Sequence, residues 1–177
     1  MFYLIMYLFL FLMQSLFLFA KSNNFTTVSN LDLPKYMGHW YQVYAAPVDY
    51  VFQGYGKCIT ADYDITGSNN ISVLNAQYNV NNEYEEIKGY AFYKDVNQPG
   101  KLSVVLDGVG VVAPYWVIKL GEIVNNYYQY SIISVPEGPS LWVLARNTDV
   151  FFNLYDEDVK TFLDENKLTY IKVVQNC

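Results

Sequence analysis

The sequence predicts an all-β chain with one helix near its C-terminus, and three observations carry that reading. Short runs rich in Val, Ile, Tyr and Phe recur at 39–46, 57–66, 71–80, 84–94, 101–107, 114–120, 126–135 and 141–147, bounded by Gly, Asn and Pro clusters. Short strands at this regular spacing form a β-sandwich or a β-barrel. The period then changes: between 156 and 166, Val159, Phe162 and Leu163 fall at i, i+3 and i+4. Asp156, Glu157 and Asp158 occupy the first turn, where the helix dipole favours acids. Finally, Gly38-His39-Trp40-Tyr41 opens the first strand and Leu144-Ala145-Arg146-Asn147 ends the eighth. An arginine there can lay its guanidinium over the indole, a cation–π plug at one end of a closed sheet.

Taken in order, residues 1–20 contain no charge and few polar side chains, so they read as a secretory signal. The small-x-small window Ala20-Lys21-Ser22 places cleavage after residue 22, leaving 23–177 as one domain. Twenty apolar residues also have the length of an uncleaved membrane anchor, which remains the alternative. Within the strands, successive side chains point to opposite faces. In the second strand Ile59, Ala61 and Tyr63 share the inner face and Cys58 points outward. The third sets Val73, Asn75, Gln77 and Asn79 on one side, and the fourth Ile87, Gly89, Ala91 and Tyr93. Leu102, Val104 and Leu106 alternate along the fifth, and Trp142, Leu144 and Arg146 along the eighth. Past the helix, 169–174 alternates again, an extra strand that brings Cys177 to the outer wall.

Beyond Gly38 and Trp40, several stretches in register resemble the lipocalin family, specifically its apolipoprotein D and bacterial outer-membrane lipocalin branch. They are Gly56-Lys57-Cys58-Ile59, Ser72-Val73-Leu74-Asn75, Ile87-Lys88-Gly89, Pro99-Gly100-Lys101-Leu102, Ala113-Pro114-Tyr115-Trp116 and Trp142 through Asn147. One departure is local: where family members carry Thr-Asp-Tyr after the sixth strand, this chain has Lys119-Leu120-Gly121-Glu122. The resemblance implies an eight-stranded antiparallel up-and-down β-barrel with one C-terminal α-helix packed outside. It also implies a ligand cup lined by Tyr63, Asn75, Gln77 and Trp142, to which inward parity adds Leu144, Ile87, Leu102 and Val104. Gly38, Trp40 and Arg146 are expected as structural residues of the floor.

Composition narrows the function. A net charge of −6 with only eleven Lys and Arg, scattered singly, argues against nucleic acid. His39 is the only histidine and lies inside the Gly-x-Trp motif, so neither a Ser-His-Asp constellation nor a histidine-rich metal site is expected. No enzyme activity, cofactor or metal is expected. Two cysteines in a secreted chain point to a Cys58–Cys177 disulfide, with two free thiols in a reducing compartment as the alternative. Asn24 and Asn70 begin glycosylation sequons.

The function expected is a secreted lipocalin, extracellular or in the lumen of a vacuole. It binds, transports or sequesters a fatty acid, lysolipid or sterol-like ligand. The alternatives are tetrapyrrole or haem handling, and a structural or interaction protein whose barrel is filled by its own side chains. The loops 47–55 and 107–113 share one rim and are unusually apolar, notably at Val51, Phe52, Val111 and Val112. Either they bury one another as a lid, or they contact a membrane or a protein partner.

Overall fold

A computed structural model of the chain describes residues 25–67, 70–136 and 140–175. Eight strands form the wall: β1 (Gly38–Ala45), β2 (Lys57–Ile65), β3 (Asn70–Tyr78), β4 (Tyr84–Tyr93), β5 (Lys101–Leu106), β6 (Val112–Leu120), β9 (Tyr130–Ser134) and β10 (Leu141–Ala145). Each pairs antiparallel with its neighbour, and β10 returns to β1, so the sheet closes. Closure removes the unpaired edges that an open sheet of this length would expose. The barrel and the outer helix expected from the sequence are therefore both present.

The expected run 126–135 divides. Ile123–Val124 (β7) and Tyr127–Tyr128 (β8) form a separate two-stranded ribbon, and only β9 stays in the wall. The ribbon turns at Asn125 and Asn126, with φ of 50° and 69°. Asparagine tolerates this left-handed region, and paired positive φ values match the twist of a tight hairpin.

The helical content also exceeds the expectation. A short helix, α1 (Leu33–Tyr36), precedes β1, and α2 (Pro47–Phe52) lies in what reads as a loop. Pro47 sits at the first turn of α2, where its fixed φ suits a helix start. The C-terminal helix begins before residue 156. Asn147 caps α3 (Thr148–Val150), its side-chain oxygen accepting from the Val150 N–H at 3.0 Å. A π-helical turn at Phe151–Tyr155 then leads into α4 (Asp156–Glu165).

The strand expected at 169–174 shortens to β11 (Ile171–Lys172), paired with Tyr44 and Ala45 of β1. It takes an edge that β2 vacates. β2 pairs with β1 only from Gly38 to Tyr41, and its register against β3 shifts between Lys57 and Thr60, where Cys58 has φ 52°.

Two apolar clusters result from strand parity. Trp40, Ala61, Tyr63, Val73, Leu102, Val117, Ile133 and Leu144 pack inside the barrel. Their neighbours Ile118, Ile132 and Val143 point outward and pack with Phe151, Val159 and Leu163 of the helical segment. Burying each such aliphatic side chain stabilises by roughly 1.5–3 kcal/mol.

Candidate ligand-binding site in the barrel

The chain passes beneath the barrel before it enters the wall, and this passage builds the floor. Trp40 is fully buried and its indole N–H donates to the Tyr36 carbonyl at 2.9 Å. The Arg146 guanidinium lies 3.6 Å from the centre of the Trp40 ring and 5.2 Å from that of Tyr127. It donates to the carbonyls of Lys35, Tyr36, Met37, His39 and Tyr128, the shortest being Met37 at 2.6 Å. Burial lowers the Arg146 pKa to about 10, which still leaves it charged at neutral pH. Gly38 has φ +92°, and a Cβ there would stand 3.4 Å from the Arg146 guanidinium, so this close approach suits glycine.

Cross-strand register sets which side chains share the inner face, because directly opposed residues point the same way. One row runs Trp40, Ala61, Asn75 and Ile87; another runs Tyr63, Val73, Gly89 and Leu106. A third joins Tyr93, Leu102 and Tyr115, and a fourth Val117, Ile133, Trp142 and Ala45. Tyr63, Leu102, Val104, Leu106, Trp142 and Leu144 all belong to the cluster around Trp40. Asn75 and Ile87 share that face by register and are half-buried. Ile59 does not join its expected neighbours Ala61 and Tyr63. It packs with Ala45, Val173 and Tyr50, because it lies within the stretch, Lys57 to Thr60, over which the register of β2 shifts.

Gln77 belongs to the mouth. Its amide N–H donates to the Gln53 carbonyl at 2.7 Å and to Glu85 at 3.3 Å. Gln53 in turn exchanges two amide hydrogen bonds with Gln42, at 3.0 and 3.1 Å. One turn earlier, the Asp49 carboxylate is only 7% exposed and accepts from the Leu141 N–H at 2.8 Å. Burial raises its pKa to about 6, against the opposing pull of its hydrogen bonds with Leu141 and Ser140. These contacts fold α2 against the barrel end.

The rim does not bury itself. Val51 and Phe52 are 50% and 59% exposed, and Val111 and Val112 are 48% and 49% exposed. The mutual-burial lid is thus corrected: α2 turns Val48, Asp49 and Tyr50 toward the protein and leaves its next two residues outward.

Residue-type reasoning missed the deepest polar group. Tyr36, Tyr115 and Ser131 join Tyr63 in a chain of hydroxyls: Tyr63 to Tyr115 at 3.2 Å, Tyr115 to Tyr36 at 2.7 Å, and Tyr36 to Ser131 at 2.9 Å. The Tyr36 and Tyr63 rings stack with centres 5.9 Å apart, and the Tyr36 ring centre is 5.2 Å from that of Trp40. Desolvation raises all three phenol pKa values, that of Tyr63 to about 12, so all are neutral. Inward parity on the sixth strand marks Tyr115, but nothing local in the sequence says that it meets Tyr36.

The remaining expected sites are peripheral. His39 is exposed and pairs with Asp62 at 2.8 Å, and no cluster of potential metal ligands occurs among the described residues. Asn70 is exposed at the start of β3. Asn24 and Cys177, with the expected signal, lie outside the described residues.

A closed barrel, plugged at one end by a cation–π pair and flanked by a helix, defines a cup-shaped binding fold. The chain belongs to the lipocalin family: the family described as Lipocalin-like domain matches residues 31–167. It is 31% identical to apolipoprotein D of Cavia porcellus over 160 residues, covering 88% of this chain and 75% of that one. It is 30% identical to the outer membrane lipoprotein Blc of Vibrio cholerae over 150 residues, covering 82% and 84%. These relatives place it in the apolipoprotein D and bacterial branch. Among solved structures it resembles lobster apocrustacyanin A1, with a TM-score of 0.59 at 17% identity over 81% of this chain and 79% of that one.

Proposed function

We propose that this protein binds a small hydrophobic molecule inside the barrel and carries or sequesters it, without catalysing a reaction on it. One observation supports this most directly: Trp142, Val104, Leu106 and Tyr115 face the interior of a closed wall yet are only partly buried. Side chains that face inward and keep accessible surface border an internal space. Desolvation supplies the affinity there, since each buried CH₂ of a ligand contributes roughly 0.8 kcal/mol, enough for micromolar binding by a chain of modest length. Titration of the protein with lipophilic ligands should change Trp142 emission, and Trp142→Ala should weaken binding in a protein that remains folded. Unchanged emission across fatty acids, sterols, retinoids and haem removes this reading.

Haem is the alternative ligand, since a tyrosine can ligate haem iron and Tyr36, Tyr63 and Tyr115 meet within the inner cluster. The filled-barrel alternative describes the floor better than the upper wall.

The secretory reading carries with it a Cys58–Cys177 disulfide. Support comes from the Cys58 N–H, which donates to the Val174 carbonyl at 2.8 Å and so holds the C-terminal segment beside Cys58. Among the described residues no cysteine is free. In the chain-entropy model, closing a loop of about 120 residues stabilises by up to roughly 4–5 kcal/mol. Non-reducing peptide mapping should recover the linked pair, and two free thiols in secreted material overturn it. In that compartment Asn70, which opens a sequon and is exposed at the start of β3, would be open to glycosylation.

A further inference from the structure

The ligand's polar end is legible in the charges and hydroxyls of the inner face. Four hydroxyls, on Tyr63, Tyr115, Tyr36 and Ser131, are linked by three hydrogen bonds. Each hydroxyl has one proton to donate and two lone pairs to accept with. Three links use three of the four protons. Run head to tail, the chain leaves its free donor at an end, Tyr63 or Ser131, and leaves Tyr115, in its middle, a spare lone pair, so that Tyr63 can donate to a ligand carbonyl and Tyr115 can accept from a ligand hydroxyl. Tyr115 is also the one member that is only partly buried.

Charge on the same face is one-sided. None of the residues joined across the inner rows is Lys, Arg or His. Arg146 is the nearest cation, but it lies beneath the Trp40 ring with its N–H groups committed to backbone carbonyls. Near the mouth Asp49 and Glu85 are acids, and the one lysine that opens a strand there, Lys57, pairs with Tyr78 off the inner rows. An ionised carboxylate carried into this interior would lose its hydration without gaining a counter-charge, a cost that a neutral oxygen does not bear.

Resting on the cavity reading above, we propose that Tyr115, Tyr63 and Tyr36 form the base of the ligand site and hold the oxygen of a neutral lipophile. The chain selects an alcohol or carbonyl compound over the carboxylate of the same skeleton. Tyr115 is the specificity-determining residue, and the fatty acid among the expected ligands ranks below its neutral counterparts.

Three probes of one carbon skeleton test this: all-trans-retinol, methyl retinoate and retinoic acid, titrated at pH 7.5 against the intact chain by tryptophan emission. Retinol and the ester should bind within a few-fold of each other, and retinoic acid about 10-fold or more weaker. Tyr115→Phe should lower retinol affinity by about 3- to 10-fold, the size of one lost hydrogen bond, and leave retinoic acid nearly unchanged. If all three probes bind equally, or the acid binds tightest, the selectivity is wrong while the cavity reading stands. Unchanged retinol affinity in folded Tyr115→Phe removes Tyr115 from the site. Should that variant fail to fold, the ester-to-acid ratio in the wild type still decides. If no probe alters the emission, the cavity reading fails and takes this inference with it.

Discussion

The two ends of the barrel are closed by different chemistry. At the floor, one permanently charged side chain lies over Trp40 and donates to five carbonyls drawn from the segment that passes underneath, from the start of β1 and from β8. At the mouth, a six-residue helix is held by neutral amides and by the buried carboxylate of Asp49. Charge-assisted bonds to buried carbonyls are strong and almost insensitive to pH, because arginine stays protonated. Amide pairs are weaker, and a buried carboxylate titrates. The floor is therefore a permanent seal, whereas the contacts that hold α2 at the other end vary in strength with conditions.

Breaking the floor should have the largest effect. Arg146→Ala leaves several carbonyls and the Trp40 face without their partner, and it should cost about 3 kcal/mol or more in denaturant unfolding. A loss below about 1 kcal/mol would mean that aromatic packing alone makes the seal.

At the mouth, Asp49 sets a pH dependence of opposite sign to that of most carboxylates. Its folded pKa, about 6, lies above the ordinary aspartate value of 3.8, so the folded state binds the proton more tightly. The stability linked to this proton is fully present below about pH 4 and is lost as pH rises through about 6, on the order of 3 kcal/mol in all. Asp49→Asn should flatten that part of the stability profile measured between pH 4 and 7. An unchanged profile would place the carboxylate in water.

Gln53→Ala should cost less, about 1 kcal/mol, since it removes an exchanged amide pair while the Gln53 carbonyl still meets Gln77. Hydrogen exchange should show α2 opening more often in this variant with the barrel strands unaffected. Equal protection in α2 would show that Asp49 and packing hold the helix without the amides.

The smallest effect on stability is expected at the rim. Val51→Ser with Val111→Ser alters side chains that are about half exposed, so unfolding should shift by less than about 0.5 kcal/mol. Ligand transfer from vesicles should nonetheless slow if the apolar rim is where a membrane or partner delivers it. Equal transfer rates would remove that role from the rim.

The inner wall was largely readable because a two-residue period is a local property. Once Trp40 faces inward, Ala61, Val73, Leu102, Val104 and Trp142 follow from alternation, and the register agrees. The outer helix was readable from 156 onward for the same reason, through its 3.6-residue period. Its start was hidden because the adjacent Phe151 and Phe152 break that period and pass through a π turn. Ile59 departs from simple alternation where the register of β2 shifts, and the bond from Gln77 to Gln53 was not legible because Gln53 ends a helix that reads as a loop.

What the sequence by itself determined is the set of properties carried by neighbours in the chain: strand number, side-chain parity, the late helix and the pairing of a Gly-x-Trp start with an Arg finish. The tertiary structure alone decided which residues meet from afar. Tyr36, Tyr63, Tyr115 and Ser131 come from α1, β2, β6 and β9, and three among eighteen tyrosines carry no local mark of a shared site. Their hydroxyls find one another because closing the barrel removes water from its interior, where a buried hydroxyl without a partner is costly and the nearest one available belongs to another strand.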